Sequence, residues 1–310
     1  MGAVALASGL PDYGPAGTIN YQPEVYSGKL VEKFYKSTVF GEIATTDYEG
    51  EIAGFGAQVK IRTVPDINIS DYVIGAGLGN QYPTSTSVTL TINKAKSFAV
   101  ALSTVDMRQA DIDMADVFAN DASIQLRIAA DADMLETIPA DVSADNAGPS
   151  AGLDSNSINL GDSSTPVSVT KSTVVDFIVD CGTVLDEQNV PDEGRWFVAP
   201  PWFMALIKQS DLRIASLAGD GVSIARNGKV GEIDRFTLYQ SRNLLRQTSP
   251  GPATYCLFGH SAGLTFAAQI IENEMIANPN DFGYIVRGLM VYGFEVINAT
   301  VIGTAVVRRG

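Results

Sequence analysis

The clearest pattern along the chain is a run of helical spacing between residues 104 and 138. Apolar residues recur there every three, four or seven positions, at Met114, Val117, Ile124, Ile128, Leu135 and Ile138. Aspartates cluster near the start of the run, where the helix dipole favours negative charge. No Gly or Pro interrupts the run before Pro139, so it predicts one helix about 50 Å long at about 1.5 Å per residue. Two shorter helices with an unmarked break are the alternative.

Residues 47–97 alternate between apolar and polar positions on both sides of a turn-forming cluster. Val59 and Ile61 are separated by polar residues, and the same period of two returns over 86–92. Between these stretches lies Gly75-Ala-Gly-Leu-Gly-Asn-Gln-Tyr-Pro83. The pattern predicts a long two-stranded ribbon. Because an isolated hairpin with few large apolar residues is marginal in water, the ribbon lies either on its own domain or on another copy of the chain.

The beginning of the chain has a different character. Residues 1–24 are rich in Gly, Ala and Pro and show no period, which predicts an extended arm. Residues 25–38 show helical spacing with lysines and glutamate between the apolar positions, which predicts a short amphipathic helix. This arm and helix form either a loose tail or a strap onto a neighbouring subunit.

The second half of the chain mixes helical and strand patterns. Residues 139–169 are rich in Ser, Asp, Asn and Gly and predict an exposed loop. A compact α/β subdomain is predicted over 170–245, with a helix at 172–188, a buried strand at 196–199, a helix starting at Pro201 and a strand at 231–239. Later strands, broken at glycines, are predicted at 255–258, 264–271, 285–292 and 294–307. The fold class is therefore α+β, with the long helix and the terminal strands flanking an inserted subdomain.

Composition excludes several classes of protein. The chain has 310 residues, and 21 Lys and Arg against 35 Asp and Glu give a net charge of −14, which argues against a dedicated nucleic-acid binder. A single histidine, His260, excludes a metal centre built on several histidines. Cys181 and Cys256 lie far apart, make no disulfide scaffold and fit a reducing compartment. No apolar run approaches the roughly 18 residues of a membrane helix, and the N-terminus has no basic leader, so we expect a soluble intracellular product.

The most suggestive catalytic motif is Gly259-His-Ser-Ala-Gly263, which fits the Gly-x-Ser-x-Gly nucleophile elbow of α/β-hydrolases. Ser261 would attack the substrate, and a histidine would act as its base. In that fold the base follows the serine along the chain, whereas His260 immediately precedes it and is badly placed to take its proton. We therefore expect a tight turn between two strands here, with a serine hydrolase as the minor alternative.

The other candidate motifs are incomplete. The glycines at 221–229 have the wrong spacing for a phosphate-binding loop, and Val230 stands where Ser or Thr is needed. The Gly75-Ala-Gly-Leu-Gly stretch does not open a helix, so it does not support a dinucleotide site. Three further sets are more simply explained as solvated surface than as cation or phosphate sites: Asp111 with Asp113, Asp145 with Asp154, and Arg308 with Arg309. We expect no catalytic residue, no cofactor and no metal ligand.

Six stretches form a collinear set: Tyr26-Ser-Gly-Lys-Leu-Val-Glu-Lys-Phe-Tyr35, Val59-Lys-Ile-Arg-Thr-Val-Pro65, Leu90-Thr-Ile-Asn-Lys-Ala-Lys-Ser-Phe-Ala99, Gly228-Lys-Val-Gly-Glu-Ile-Asp-Arg-Phe-Thr-Leu-Tyr239, Leu257-Phe-Gly-His-Ser-Ala-Gly-Leu-Thr-Phe-Ala267 and Phe282-Gly-Tyr-Ile-Val-Arg-Gly-Leu-Met-Val-Tyr-Gly293. Together they resemble the major capsid proteins of tailed bacteriophages, which have the Hong Kong 97 type fold. The resemblance covers the chain from about residue 20 to about residue 308. No single stretch is diagnostic, and the order of the set carries the resemblance.

The resemblance implies a specific division of the chain. It implies an N-terminal arm and short helix at 1–45 and an extended β-ribbon loop at 46–97. A peripheral domain would combine the long spine helix with the closing strands, at 98–139 and 265–310. An axial domain with α/β character would occupy 140–264.

The resemblance also implies a structural function and partners. The chain would assemble with itself, as hexamers and pentamers, into an icosahedral shell that encloses double-stranded DNA without sequence-specific binding. A separate scaffolding protein is implied because the N-terminal arm is short, unless the sequence is a processed form. A portal is implied as well, with decoration proteins as an optional further partner. The protein would be a virion component assembled in the host cytoplasm and not an enzyme. The alternative is a nanocompartment shell of the same fold that encloses a cargo enzyme.

Two lysines in or beside the ribbon raise one covalent possibility. Some shell proteins cross-link a ribbon lysine to an asparagine of a neighbouring subunit, and Lys60 and Lys94 are the candidates here. The simpler interpretation of Lys60 is a solvated edge residue that discourages strand aggregation.

Overall fold

The computed structural model describes residues 38–47, 58–65, 67–71, 74–75, 80–85, 87–109, 114–210, 231–249 and 251–310. The predicted arm, nearly all of the predicted amphipathic helix that follows it and the glycine-containing stretch at 221–229 lie outside the described residues. Within the described ranges the chain forms five α-helices and three β-sheets. The predicted mixture of helix and strand is confirmed.

The helices are α1 (Phe40–Ile43), α2 (Thr104–Gln109), α3 (Met114–Thr137), α4 (Val174–Glu187) and α5 (Pro201–Gln209). The strands are β1 (Gln58–Arg62), β2 (Ser87–Thr91), β3 (Lys94–Ser103), β4 (Val167–Val169), β5 (Arg195–Ala199), β6 (Glu232–Ile233), β7 (Phe236–Gln240), β8 (Arg246–Gln247), β9 (Ala253–His260), β10 (Leu264–Ala277), β11 (Gly283–Val296) and β12 (Ile302–Arg309). Short 3-10 turns cover Ile138–Ala140, Ala144–Asn146, Ser261–Gly263 and Ala299–Val301.

The long helical pattern appears as α2 and α3. The α3 helix has 24 residues, roughly 36 Å at about 1.5 Å per residue. Residues 110–113, which connect the two helices, lie outside the described part of the chain, and the choice between one helix and two falls on them. The pattern ends as predicted, because Pro139 lies in the 3-10 turn that follows α3 and has no N–H with which to continue the helix.

A seven-stranded sheet forms the centre of the fold. Its strands follow the order β4-β12-β9-β5-β7-β6, and β8 pairs with β9 beside this path. All residues of β5 are buried, because successive side chains point to opposite faces of the sheet and both faces are covered. Phe197 faces a buried layer that contains residues of α4 and α5. Trp196 and Val198 face a second layer that contains residues of α1 and α3. The predicted buried strand and the helices on either side of it are confirmed.

A three-stranded antiparallel sheet supports the long helix. The long strands β10 and β11 pair with each other, and β3 pairs with β11. Met134 and Leu135 of α3 lie in the same buried layer as Phe266 of β10 and Met290 of β11. The sheet therefore buries the C-terminal part of the helix's apolar stripe, whereas Val117 near the start of the helix is 39% exposed.

The predicted strand break at Gly293 is wrong. Strand β11 passes through this residue and ends at Val296. A Cβ at Gly293 would lie 2.9 Å from the Cα of Ile92 and would overlap the carbonyl oxygen of Thr91. The glycine therefore allows the end of the ribbon to approach β11 closely.

The predicted loop at 139–169 is only partly exposed. Ala151 and Leu160 within it are fully buried. The backbone N–H of Val306 donates to the carbonyl oxygen of Leu160 at 2.8 Å. Polar residues in this segment form turns that hold a few apolar side chains against the core, which the composition of the segment does not reveal.

Two further elements differ from the sequence pattern. The predicted strand at 231–239 is a hairpin of β6 and β7, turned by Asp234 and Arg235 with φ of 48° and 66°. The predicted strand at 294–307 is divided between the end of β11 and the separate strand β12. Because β12 pairs with β9 and β4, it lies in the seven-stranded sheet. Strand pairing therefore joins a segment expected in the peripheral domain to strands expected in the axial domain. That division stays a prediction.

The ribbon is confirmed at its base. Strands β1 and β2 pair antiparallel along their full lengths. Ile61, Leu90 and Ile92 pack with Ala267 of β10 in a small buried cluster. Beyond this base a side chain links the two sides of the ribbon. The Gln81 amide donates to the backbone carbonyl oxygen of Asn68 at 2.6 Å.

Lys94 fixes the point where the ribbon enters the three-stranded sheet. Its ammonium group donates to Asp133 Oδ2 of α3 at 2.9 Å and lies 4.2 Å from the centre of the Phe294 ring. The Tyr292 hydroxyl donates to the same carboxylate oxygen at 2.9 Å. Partial burial pushes the pKa of Asp133 upward, but the hydrogen bonds and the lysine charge outweigh it and hold the pKa below its usual value.

We expect Lys94→Met to lower the free energy of unfolding at pH 7 by about 1 kcal/mol, because Asp133 loses its cation while it remains charged. Since the folded-state pKa of Asp133 is lowered, its stabilising contribution is present above the unfolded-state pKa of about 4 and is lost as the pH falls through the folded-state value. Urea unfolding at pH 7 and at pH 3 should therefore show a smaller difference between variant and wild type at the lower pH.

The exposed Lys60 of β1 provides the matched control. Lys60→Met should change the free energy of unfolding by less than about 0.5 kcal/mol at either pH. An effect of Lys94→Met that is the same at both pH values would contradict the role given to Asp133.

Candidate functional surfaces

The segment Gly259-His-Ser-Ala-Gly263 forms a corner between β9 and β10. Ser261 begins a 3-10 turn that leads directly into β10, and no helix follows the serine as a nucleophile elbow requires. The Nδ1 atom of His260 accepts a hydrogen bond from the backbone N–H of Ala262 at 3.1 Å. This nitrogen therefore caps the turn. The predicted tight turn between two strands is confirmed.

Close packing explains both outer glycines of this motif. A Cβ at Gly259 would lie 2.8 Å from the carbonyl oxygen of Val301. A Cβ at Gly263 would lie 2.8 Å from Cγ1 of Ile302 and would overlap the Val301 side chain. The corner can approach the start of β12 only because neither position carries a side chain, so packing accounts for the motif without a nucleophile.

The carboxylate pairs considered as cation sites do not form a ligand set in the described residues. Asp111 and Asp113 lie outside those residues. The Asp145 carboxylate accepts from a neighbouring serine hydroxyl at 3.4 Å, and the backbone N–H of Asp154 donates to Glu187 at 2.9 Å. In the part of the chain that the structure describes, no group of three or more His, Cys, Asp or Glu is placed to hold a metal ion. The helices of that part are all too short or too polar to span a bilayer.

The thiols and lysines singled out in the sequence have ordinary structural surroundings. Cys181 and Cys256 are free and buried, and burial raises the pKa of both thiols. Lys60 is exposed on β1. Lys94 is held by Asp133, as described above, which gives it a role within its own chain.

Exposed apolar side chains concentrate on the ribbon beyond its base. Val64 and Ile69 are 91% and 93% exposed. Three more large apolar residues in this part of the ribbon are exposed as well: Ile67, Ile74 and Tyr82. Apolar surface left in water costs about 25 cal/mol per Å² relative to burial, and a patch of this kind is typical of a protein–protein contact.

A second exposed apolar group lies at the far end of the three-stranded sheet. Phe282, in the turn between β10 and β11, is 88% exposed, and Tyr284, Met275 and Val105 nearby are also exposed. The backbone N–H of Thr104 donates to the carbonyl oxygen of Phe282 at 3.0 Å. The turn is therefore held against the start of α2, and this end of the sheet is the second candidate contact surface.

Sequence reasoning missed a buried carboxylate that fixes the start of the described chain. Asp131 of α3 is fully buried, and its Oδ1 accepts from the backbone N–H groups of Val39 and Phe40 at 2.8 and 3.0 Å. Its Oδ2 accepts from the Asn243 amide at 2.6 Å. Burial raises the pKa of Asp131, and these hydrogen bonds oppose the rise. The sequence did contain one indication of this buried carboxylate. Asp131 lies on the apolar stripe, four residues before Leu135, where a charged group needs hydrogen-bond partners.

We expect Gly263→Ala to lower the free energy of unfolding by about 1–3 kcal/mol, because the added methyl group overlaps Val301 and Ile302. Ser261→Ala should change it by less than about 0.5 kcal/mol, since packing and not the hydroxyl group defines the corner. Denaturant unfolding measures both variants, and fluorophosphonate labelling with an ester-hydrolysis assay tests for a reactive serine. Ester hydrolysis by the wild type that disappears in Ser261→Ala would contradict this account of the corner.

Comparison with known proteins finds similarity in structure and not in sequence. No protein-family model and no curated protein sequence matches the chain. A solved structure from Mycobacterium phage Che8 is similar with a TM-score of 0.76 and 23% identity, over 92% of this chain and 97% of that chain. The capsid of cyanophage P-SCSP1u is similar with a TM-score of 0.73 and 16% identity, over 97% of this chain and 98% of that chain.

The capsid of Ralstonia phage GP4 extends the likeness to nearly the whole chain. It is similar with a TM-score of 0.63 and 14% identity, over 99% of this chain and 97% of that chain. These matches cover 92–99% of this chain and 97–98% of the other chains, so the likeness extends over the fold as a whole. The chain therefore has the tailed-phage major capsid fold.

Proposed function

We propose that this chain is the major capsid protein of a tailed phage, and that its copies assemble into an icosahedral shell that encloses double-stranded DNA. The observation that carries the proposal is the ribbon. Its base packs in the core of its own chain, whereas Val64, Ile67 and Ile69 beyond that base stay in water. A neighbouring subunit in a shell would cover this surface. The fold supports the proposal, since structural neighbours include the capsids of cyanophage P-SCSP1u and Ralstonia phage GP4.

Assembly through such a ribbon needs only modest contacts. Each subunit would lend its ribbon to one neighbour and receive the ribbon of another, which is a head-to-tail contact that closes into rings when the rotation between copies permits. Closure of a shell links many such contacts, so the effective concentration of each new contact is high. The exposed end of the three-stranded sheet around Phe282 and Tyr284 would provide further contacts between rings.

The finer parts of the proposal follow the sequence resemblance. Copies would form hexamers and pentamers, with a separate scaffolding protein, a portal and decoration proteins as partners. The protein would be a virion component assembled in the host cytoplasm, and its role would be structural and not enzymatic. The geometry of the Gly259-His-Ser-Ala-Gly263 corner supports the absence of a serine nucleophile.

The net charge of the chain supports a shell that encloses DNA without binding the DNA tightly. The net charge of −14 opposes extensive contact with phosphate groups, which a basic wall would bind in a salt-dependent way. The alternative of a nanocompartment shell with a cargo enzyme is not favoured, because the structural neighbours described as capsids above belong to phages.

We expect deletion of residues 66–84, with an Asn-Gly turn in their place, to leave a folded chain that no longer assembles. The deletion spares β1, β2 and the buried cluster at the ribbon base but removes most of the exposed apolar surface. The wild type and the deletion variant would be co-expressed with the genes that neighbour this one, and velocity sedimentation with negative-stain microscopy would measure closed particles. Normal shells from the deletion variant would contradict the proposal.

A second pair of variants tests the exposed apolar side chains of the ribbon without changing the length of the ribbon. Val64→Ser with Ile69→Ser should prevent assembly at unchanged thermal stability, because both side chains are solvent-exposed in the single chain. Leu153→Ser, at an exposed position outside the ribbon, is the matched control and should assemble like the wild type.

A further inference from the structure

The C-terminal arginines noted in the sequence line a cleft with a third arginine. The cleft has a volume of about 570 Å³ and lies where β8, β9 and β12 meet. Arg308 and Arg309 follow the buried part of β12, and Arg246 of β8 lies opposite Thr254 of β9. The Trp202 side chain from the start of α5 also lines the cleft. The fold thus gathers cationic groups from two separate parts of the chain.

The cleft arginines are distinguished by their shared position around one cleft. Arg195, Arg235 and Arg287 each form an ion pair with a carboxylate. Over the described ranges, the ion pairs within 4.0 Å include none of the three cleft arginines. Among the described residues, Arg62, Arg108, Arg127 and Arg242 also form no ion pair. In a chain with 35 acidic and 21 basic residues, three arginines that line one cleft and form no ion pair leave a site that favours an anionic partner.

The outer face of α4 carries the complementary chemistry. Asp176 and Asp180 lie one helical turn apart, about 5–6 Å between Cβ atoms, with Val179 between them and 43% exposed. Burial, and then the charge of Asp176, raise the pKa of Asp180, so the two carboxylates repel each other. The ion pairs of the described residues include neither aspartate.

We propose that the α4 face of one subunit docks into the arginine cleft of a second copy of this chain. Guanidinium groups match carboxylates with paired hydrogen bonds, and Val179 would contact the half-buried Trp202 at the edge of the cleft. Because the two surfaces are different parts of the same chain, the contact runs head to tail, and its repetition around an axis builds a ring. The inference rests on the proposed function and assigns a specific contact within it.

A reciprocal exchange of charge tests the contact. Arg308→Glu with Arg309→Glu, and separately Asp176→Lys with Asp180→Lys, should each lower the yield of closed particles at least about tenfold, since like charges facing each other cost well over 1.4 kcal/mol. All four changes in one chain restore opposite charges across the contact and should recover most of the wild-type yield. Sedimentation and negative-stain microscopy provide the readout, and circular dichroism checks that each variant is folded.

Control variants carry the same changes in charge at other exposed sites. Lys208→Glu with Arg242→Glu matches the cleft variant, and Glu193→Lys with Glu136→Lys matches the helix variant, because all of these residues are exposed and lie outside the proposed contact surfaces. Both controls should assemble like the wild type. Neutral variants, with alanine at the two arginines and asparagine at the two aspartates, form a double-mutant cycle that does not depend on tolerating reversed charges. The combined neutral variant should lose no more assembly than either single set.

Three results would overturn the inference. The first is a cleft variant that assembles like the wild type. The second is a four-substitution variant that assembles no better than the cleft variant. The third combines two observations: the aspartate-to-lysine changes do not restore assembly of the cleft variant, and the cleft variant loses a salt-sensitive binding of a short DNA duplex that the purified wild type shows. That result would assign the cleft to phosphate groups. A wild type that forms no particles under the same conditions would instead refute the proposed function.

Discussion

The buried layer beneath α3 is the interaction on which the rest of the structure depends. It joins α1, α3, one face of the seven-stranded sheet and the strands β10 and β11 through residues that include Ile43, Leu135, Trp196 and Met290. The apolar faces of these elements are largely used within this layer and within the layer on the other side of the sheet. The apolar side chains of the distal ribbon, such as Val64 and Ile69, stay exposed in the described chain, and under the proposed function a neighbouring subunit covers them.

Several contacts fix the base of the ribbon on the body of the chain. Lys94 ties the start of β3 to Asp133 of α3, and Gly293 lets the end of β2 pass close to β11. Asp131 holds the start of the described chain at α3 through two backbone N–H groups. These contacts use charged or small residues at positions where strands and helix meet, so the base of the ribbon is held in place. A fixed base reduces the loss of conformational freedom on assembly.

Much of this fold could be read from periodicity, and the exceptions have physical causes. The apolar stripe of α3, the alternation of apolar and polar residues in β1 and the continuous apolar run of β5 all predicted the observed elements. The strand boundary predicted at Gly293 was wrong, because this glycine allows the ribbon to approach β11 closely and does not form a turn. The partners of Asp131 and the gathering of Arg246 with Arg308 and Arg309 could not be predicted, since they depend on residues more than 50 positions apart meeting in space. The charge pair on α4 was visible in sequence, but only the helix orientation shows that it faces outward.

Amide hydrogen exchange of the ribbon, in closed particles and in the unassembled chain, tests the central claim most directly. Peptides that cover residues 63–85 should exchange at least about tenfold more slowly in particles, which corresponds to about 1.4 kcal/mol of protection by a neighbouring subunit. Peptides from β5 and β9 in the core should exchange equally slowly in both states. Ribbon exchange that is equally fast in particles and in the single chain would contradict the claim that neighbouring subunits bury the ribbon.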